Sequence, residues 1–193
     1  MIEIVAYQSK WPAEFREIAG AIRRVVGAAA LRIDHIGSTA VPGLAAKNVI
    51  DVQISVAAFD DDGVDRLTEL GYSRAADINS DHCPPNGDAH PDQWRKWFFR
   101  APLGQRPTNT HVRILGRANQ QYPLLFRDYL RVHPATAAAY AELKRQLARE
   151  LRDPSVYPDV KDPAVDLIYL AAVEWAAASG WRLGASDARV RRR

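Results

Sequence analysis

The sequence predicts an α+β fold, in which a small mixed sheet with flanking helices is followed by a helical C-terminal part. Segments that alternate apolar and polar residues, as strands do, are confined to the first 118 residues. Later segments instead repeat apolar residues at helical spacing, and no internal repeat is present. We therefore expect an α/β core over residues 1–118, a helical part over residues 119–183 and a disordered basic tail over residues 184–193.

The first predicted elements are a short strand over residues 2–7 and a helix that Ser9 can cap, with Pro12 in its first turn. Residues 31–35 alternate apolar with polar side chains, which predicts a strand. A loop marked by glycine and proline then covers residues 37–47.

The clearest strand covers residues 49–56, where apolar side chains alternate with Asp51, Gln53 and Ser55. The rest of the core is expected to contain a short helix, a long polar loop and two strands, at residues 64–70, 75–93, 94–100 and 110–115.

Three helices are predicted in the second half of the chain. The first covers residues 124–132, and the second begins at Pro134. The third is expected to be capped by Asp162, which precedes a proline, and to end at Gly180.

Composition and charge restrict the classes of function. Apolar residues make up 47 % and charged residues 25 % of the 193 positions, the balance of a globular protein. Four of the 26 basic residues are arginines in the last five positions, so residues 1–188 carry 22 basic and 23 acidic residues. Because the body of the protein is not basic, we do not expect nucleic-acid binding.

Targeting signals are also not expected. No apolar run approaches the ~20 residues that a membrane span needs, and the N-terminus lacks the pattern of a signal peptide. The single cysteine, Cys83, excludes an intrachain disulfide and is typical of the reducing cytoplasm, where we expect the protein to be.

One motif carries recognisable chemistry. A predicted strand leads into Gly37 and Ser38, and Asp51 follows thirteen residues later on the next strand. Gly37 allows close approach to the backbone, and free amides after it, with the Ser38 hydroxyl, could hold a phosphate. Asp51 could bind a metal ion that bridges phosphate oxygens, and Lys47 could add positive charge. The same residues could also be only a tight turn and a surface carboxylate.

The segment from His35 to Asp51 resembles the signature of the GrpB family, and the resemblance covers nearly the whole chain. Further matches include Tyr7, Trp11, Phe15, the segment 110–113, Tyr140, Lys144, Tyr157 and Lys161. The family is similar to the nucleotidyltransferase superfamily, the fold of DNA polymerase β, in which a Gly-Ser turn holds the triphosphate and a pair of carboxylates holds two magnesium ions. Some family members are fused to dephospho-CoA kinase, which implies nucleotide or CoA metabolism.

The sequence departs from that superfamily pattern at Gln53, where a second carboxylate would stand. Gln53 offers an amide oxygen as a metal ligand but no charge, and it cannot act as a general base. His111 is the best substitute, as a base or a ligand. On a strand His111 shares one face with Arg113, which could neutralise ligand charge.

The resemblance implies transfer of a nucleotidyl group from an NTP to an unknown small acceptor with Mg²⁺. Asp51 and His111 would be catalytic, and Asp51 and Gln53 would hold the metal. Phosphate contacts are expected from Gly37, Ser38, Thr39, Lys47 and Arg113. The alternative, which Gln53 favours, is a catalytically inactive module that binds a nucleotide or a CoA-like ligand.

Other polar residues have simpler interpretations. His35 fits a hydrogen bond to the loop as well as it fits a functional role, and Lys96 fits a solvated strand face better than a phosphate contact. A zinc site is not expected, because the spacing follows no strong zinc pattern at His82, Cys83 and His90.

Overall fold

The computed structural model describes residues 2–59 and 62–188, and this part of the chain contains one five-stranded mixed sheet. Its strands are β1 (Arg32–Ile36), β2 (Ile50–Val56), β3 (Ser73–Arg74), β4 (Trp97–Arg100) and β5 (Thr108–Ile114). They lie in the order β1-β2-β5-β4-β3, with β2 and β5 parallel and the other neighbours antiparallel. The mixed sheet and its flanking helices confirm the predicted α+β class.

The helices are α1 (Trp11–Val26), α2 (Asp62–Asp65), α3 (Ala118–Val132), α4 (Pro134–Glu150) and α5 (Tyr157–Ser179). None of these helices is long and apolar enough to cross a membrane, within the part of the chain that the structure describes.

One hydrophobic core lies between α1 and the sheet. Trp11, Phe15 and Ile22 recur on one face of α1 and are buried against apolar side chains of β1 and β2. Lys10, rather than the predicted Ser9, precedes the first turn, and it makes no side-chain cap. Burial of the apolar stripe therefore holds α1 in place, with Pro12 preorganising its first turn.

A second hydrophobic core joins α3, α4 and α5 to the loop between β1 and β2. Val41, Leu44 and Ala45 of this loop are buried against apolar side chains of the three helices, including Leu130 and Tyr140. The packing brings the helical part of the chain next to the turn that follows β1. The division into domains at residue 118 stays a prediction.

The two faces of the sheet differ in chemistry. Val52 and Ile54 of β2 face the α1 core, whereas Asp51 and Gln53 point to the other face. The parallel register pairs Asp51 with Asn109 and Gln53 with His111. Because paired residues of neighbouring strands point to the same face, these polar side chains form one row above β2 and β5.

Several elements differ from the sequence prediction. Residues 2–7 do not form a strand, and only Val5 makes a single bridge, to Ala46. The helix α5 begins at Tyr157 instead of Asp162, since Pro158 starts the helix and Pro163 is accommodated within it. Its C-terminus at Gly180, which has a left-handed backbone, agrees with the prediction.

The region between β2 and β5 shows smaller differences. The predicted helix over residues 64–70 is α2 followed by a 3-10 segment, Arg66–Leu70. The two predicted strands are shifted: β4 begins only at Trp97, and β5 covers Thr108–Ile114. The two-residue strand β3 was not predicted, because it is too short to show alternation.

The first part of the predicted disordered tail is ordered by contacts with β1. Ser186 Oγ accepts a hydrogen bond from the Ile33 amide at 3.0 Å, and Asp187 Oδ2 accepts one from the His35 amide at 2.9 Å. The Arg127 guanidinium also donates to Asp187, at 2.7 Å. Residues 189–193, on which the rest of that prediction falls, lie outside the described residues.

Candidate functional site

The Gly-Ser turn follows β1 directly and lies against Asp51. Gly37 has a φ of +70°, and a Cβ atom at this position would lie 2.8 Å from Asp51 Cγ and closer still to Oδ2. Glycine is therefore required at this position for two reasons: the positive φ, and the lack of space for a Cβ atom. The sequence prediction assigned this space to a ligand, but in the structure the Asp51 carboxylate approaches the turn.

The Ser38 side chain accepts a hydrogen bond from a lysine of the helical part. Lys144 of α4 is only 3 % exposed, and its Nζ donates to Ser38 Oγ at 2.8 Å and to the Ala45 carbonyl oxygen. The amides of Ser38 and Thr39 make no hydrogen bond to any described residue. The turn thus combines two unused N–H donors with a nearby ammonium group, the combination that anion sites use.

A small cleft of about 180 Å³ opens beside this turn. It is lined by Ser38, Lys47, Asn109, Tyr140, Lys144, Tyr157, Pro158 and Lys161. Three of these side chains are lysines, which come from the β1–β2 loop, α4 and α5. We call this feature the lysine cleft. Its concentration of positive charge is suited to an anionic group rather than to an apolar one.

The environment of the lysine cleft lowers the pKa of two of its lysines, Lys144 and Lys47. Burial and, to a smaller extent, the charge of Lys161 lower the pKa of Lys144 to about 7, while Asp51 opposes the change. Burial and Lys161 also lower the pKa of Lys47, whose Nζ lies 4.0 Å from the Tyr157 ring centroid. An anion in the cleft would offset both effects, because an opposite charge nearby favours the protonated ammonium forms.

Asp51 is half-buried and adjoins the lysine cleft through Asn109, which lines it. Its Oδ1 accepts a hydrogen bond from Asn109 Nδ2 at 2.8 Å. Burial raises the pKa of Asp51, whereas the Asn109 hydrogen bond and the charges of Lys161 and Lys144 act in the opposite direction. Among the described residues, no group of three or more His, Cys, Asp or Glu side chains is placed to hold a metal ion.

Gln53 does not lie in the lysine cleft. The side chain is completely buried, and its Nε2 donates to the Gln120 carbonyl at 2.9 Å. Its amide oxygen, the atom predicted to bind metal, instead accepts from Arg113 Nη1 at 2.7 Å. Both polar groups of Gln53 are therefore used inside the protein.

Arg113 is also held inside the protein rather than in the cleft. Its guanidinium makes two hydrogen bonds to the Asp81 carboxylate, at 2.7 and 2.9 Å, and Lys96 contacts the same carboxylate at 2.7 Å. These cations hold the pKa of Asp81 well below its usual range. Arg113 thus anchors the loop between β3 and β4, contrary to the predicted phosphate contact.

Thr39 and His35 bond to each other on the far side of the turn. The Thr39 hydroxyl lies 3.0 Å from His35 Nε2, and the Thr39 side chain is buried. The His35 ring stacks on Phe15 at a centroid distance of 4.7 Å. Both side chains support the turn from the α1 side, so only the backbone amide of Thr39 is available to a ligand.

His111 lies on the same sheet face as Asp51, one step further along β5 than Asn109. Its Nδ1 lies 3.2 Å from Arg113 Nη2, and its ring contacts the edge of Phe98. Burial, with the charges of Arg113 and Lys96, lowers the pKa of His111 well below the ordinary value. The strand register therefore places His111 on the polar face that also carries Asp51.

Most of the side chains that line the lysine cleft have no role that a sequence pattern predicts. Tyr140 and Lys144 are spaced i,i+4, which places them on one helical face, but their distance from the Gly-Ser turn in sequence hides the contact. Lys161 and Tyr157 lie in a helix whose start was misplaced. Asp81 lies in a polar loop, where no alternation of apolar and polar residues indicates which side chains point towards the sheet.

The fold and the cleft define an α+β domain with a cationic site beside a Gly-Ser turn. The chain belongs to the GrpB family, because the family model described as GrpB protein matches residues 1–170. A crystal structure of the conserved protein GrpB from Enterococcus faecalis is similar to this chain, with a TM-score of 0.70 and 28 % identity, over 91 % of this chain and 99 % of that one.

Curated relatives carry two kinds of name. A dephospho-CoA kinase of Mycobacterium leprae is 36 % identical over 191 residues, which cover 90 % of this chain and 47 % of that protein. The UPF0157 protein BH1888 of Halalkalibacterium halodurans is 34 % identical over 170 residues, which cover 86 % of this chain and 80 % of that protein. The chain therefore spans about half the length of the relatives named dephospho-CoA kinase.

Proposed function

We propose that this protein binds the phosphate groups of a nucleotide or a CoA-like ligand in the lysine cleft. The observation that carries the proposal is the buried Lys144 ammonium, which donates to Ser38 beside two unused amides. A buried cation without a carboxylate partner costs free energy unless an anion compensates it. Among the described residues Lys144 forms no salt bridge, so a bound phosphate would supply the missing charge.

The size of the cleft and the names of relatives support this ligand class. A volume of about 180 Å³ suits a phosphate chain rather than a whole nucleotide, whose base and sugar would lie outside the cleft. Relatives named dephospho-CoA kinase favour a nucleotide or CoA-like compound, although this chain spans only about half of those proteins.

Nucleotidyl transfer to a small acceptor is the second candidate. It is favoured by one observation, the position of the Asp51 carboxylate against Gly37 and in a hydrogen bond with Asn109, which lines the cleft. The residues do not fit two magnesium ions, because two-metal sites need several anionic ligands and the Gln53 oxygen is bonded to Arg113. They fit a single Mg²⁺ held by Asp51 and by phosphate oxygens of the ligand, where the ion would neutralise phosphate charge.

The experiment is a panel of the four NTPs, CoA and dephospho-CoA, each with and without Mg²⁺, followed by thermal unfolding and by pyrophosphate release. A ligand present at ~100 times its Kd adds about 2.7 kcal/mol to the free energy of unfolding, so binding is visible. Lys144→Met should abolish the shift, whereas Lys10→Met, at an exposed lysine that precedes α1, should retain it. Failure of every ligand to stabilise the protein would contradict both candidates.

Asp51→Asn separates the two candidates. Without Mg²⁺ the variant should bind phosphate ligands more tightly than the wild type, because a repelling charge is removed. With Mg²⁺ the wild type should gain affinity and the variant should not. Pyrophosphate release that depends on Asp51 would support transfer, whereas equal Mg²⁺ dependence of the two proteins would count against a metal at this position.

A further inference from the structure

The hydrogen bond between Arg113 and His111 fixes which ring nitrogen of His111 carries the proton. A guanidinium group has only N–H donors and stays charged at any ordinary pH. In the contact of 3.2 Å between Arg113 Nη2 and His111 Nδ1, the histidine nitrogen must therefore be the acceptor. A neutral imidazole that accepts through Nδ1 carries its proton on Nε2.

The surroundings of the ring keep it neutral. Two cations, Arg113 and Lys96, face the ring, and their effect on the His111 pKa adds to that of burial, while Asp81 acts in the opposite direction. Phe98 covers the ring from β4 with an edge contact at a centroid distance of 5.1 Å. A second proton on His111 would have to face Arg113 at Nδ1, so the imidazolium form is strongly disfavoured.

The Nε2–H group of His111 is available to a ligand. It makes no hydrogen bond to any described residue. The Nε2 atom is not fully buried, so it can be reached from solvent. His111 is two residues beyond Asn109, which lines the lysine cleft, and side chains at this spacing on a strand are ~7 Å apart on one face. A ligand that has its phosphates in the cleft and extends past Asn109 along β5 would contact His111.

We propose that His111 donates a hydrogen bond from Nε2 to an oxygen or ring-nitrogen acceptor of the ligand and does not act as a general base. The ligand contact rests on the proposed phosphate-binding function, whereas the tautomer does not. A nitrogen that already carries a proton cannot take another from an attacking hydroxyl. The role expected for His111 from sequence is thereby replaced by a specificity contact.

Asp81 and Arg113 act as positioning residues in this arrangement. The two hydrogen bonds from Arg113 to Asp81 fix the guanidinium plane, and a third, to Gln53, fixes it from β2. The remaining interaction of Nη2 is the one with His111. Arg113→Lys keeps the charge but loses the planar donor geometry, and it should allow the proton to move between the two ring nitrogens.

The first test is ¹⁵N NMR of the imidazole rings in the unliganded protein, with the His111 signals assigned through His111→Gln. We expect the Nε2 signal at the shift of a protonated nitrogen and the Nδ1 signal at that of an unprotonated one, without change between pH 8 and pH 6. In Arg113→Lys the two signals should move towards each other. A protonated Nδ1 in the wild type, or conversion to imidazolium above pH 6, would overturn the proposal.

The second test uses ATP as the probe and compares His111→Gln with His111→Leu. Glutamine can accept from Arg113 through its oxygen and still present an N–H group, so it should keep most of the affinity. Leucine should lose roughly three- to tenfold, the effect of a hydrogen bond between neutral groups. Far-UV circular dichroism and thermal unfolding check that both variants fold.

The outcomes separate this proposal from the proposed function. If the wild type binds ATP and His111→Leu binds it equally well, the ligand contact is wrong while phosphate binding stands. If transfer activity is found and His111→Gln lowers it by ~10²–10⁴, His111 is a general base and the proposal is wrong. If the wild type does not bind ATP, the contact to a nucleotide is overturned together with nucleotide binding, and the NMR result still decides the tautomer.

Discussion

At Gly37 a single missing side chain brings the turn and the carboxylate together. The backbone at φ +70° is accessible to glycine, and the Asp51 carboxylate fills the space where a Cβ atom would stand. The carboxylate therefore lies directly against the turn that holds the unused amides. A comparable constraint is absent at Gly43, which has a φ of +80° but nothing within 4 Å of its Cβ position.

Gly37→Ala should destabilise the protein and abolish ligand binding. The backbone strain costs about 1–3 kcal/mol, and the clash displaces Asp51 from the turn. Gly43→Ala is the matched control, because it pays the strain without the clash. Urea unfolding and ligand-induced thermal shifts of both variants check this, and equal losses in the two would show that the Asp51 contact has no role.

Lys144 illustrates how a binding residue can cost stability. Its pKa is about 7 in the folded state, far below that of a lysine in the unfolded chain, ~10.4. Between these values the unfolded state binds more protons, so the free energy of unfolding rises with pH in this window. Below pH 7 the folded protein carries the full cost of a buried ammonium group.

Lys144→Met should therefore stabilise the protein by about 1–3 kcal/mol at pH 6, and by less at pH 9. The expected gain in the free energy of unfolding is the desolvation cost of the buried ammonium group, reduced by the contribution of its hydrogen bonds to Ser38 and Ala45. Urea unfolding at the two pH values measures it, with the exposed Arg149→Met as the control on the same helix. Destabilisation at pH 6, or a gain that grows with pH, would contradict the conclusion that a buried Lys144 ammonium group destabilises the folded protein.

The affinity of the lysine cleft for phosphate should fall as pH rises through 7. Lys144 loses its charge in this range, and the neutral amine no longer attracts the anion. Isothermal titration with pyrophosphate between pH 6 and pH 8.5 measures the change, which should be absent in Lys144→Arg. Pyrophosphate itself loses a proton over part of this range and becomes a better ligand, so the comparison with the variant is essential.

At the scale of elements, the sequence predicts strands better than it predicts the site. Residues 49–56 alternate so regularly that β2 was predicted to within one residue at its start and without error at its end. The start of α5 was misplaced because two residue pairs each indicate a helix start. These are the Tyr-Pro pair at residues 157–158 and the Asp-Pro pair at residues 162–163. The choice between them depends on Tyr157, which is buried beside the cleft.

Pro163→Ala should raise the thermal stability of the protein. Pro163 lies inside α5, where it withholds a hydrogen-bond donor and costs roughly 3 kcal/mol in an unstrained helix. After partial relaxation we expect a Tm increase of about 2–4 °C, which differential scanning calorimetry can measure. Pro158→Ala is the control, because the first-turn amide has no partner within the helix. An equal increase in the control would contradict this interpretation.

The lysine cleft could not be predicted because its residues meet only through the packing of whole elements. Gly37, Ser38 and Asp51 were identified since they are close in sequence and follow strand signals. Lys144 reaches Ser38 over a separation of 106 residues, through a core in which α4 packs on the β1–β2 loop. No local pattern encodes such a contact, so the predicted site contained the sheet half of the cleft and lacked the helical half.

At the scale of the whole molecule, the last described residues close the fold over its first strand. Asp187 connects β1 to α3, since its carboxylate accepts from the His35 amide and from Arg127. His35 also supports Thr39 in the turn before the lysine cleft. The C-terminal segment is thus connected to the Gly-Ser turn through His35, which bonds to Asp187 on one side and to Thr39 on the other.

The segment over residues 184–188 also protects the free side of the sheet. β1 is an edge strand, and an exposed edge is a template on which another chain can add a strand and begin aggregation. Here the Ser186 hydroxyl bonds both the N–H and the C=O of Ile33, and Asp187 occupies the next amide. The opposite edge, β3, is only two residues long. A chain trimmed after α5 would keep its helices and its sheet, yet it would expose a row of unpaired groups to its own copies.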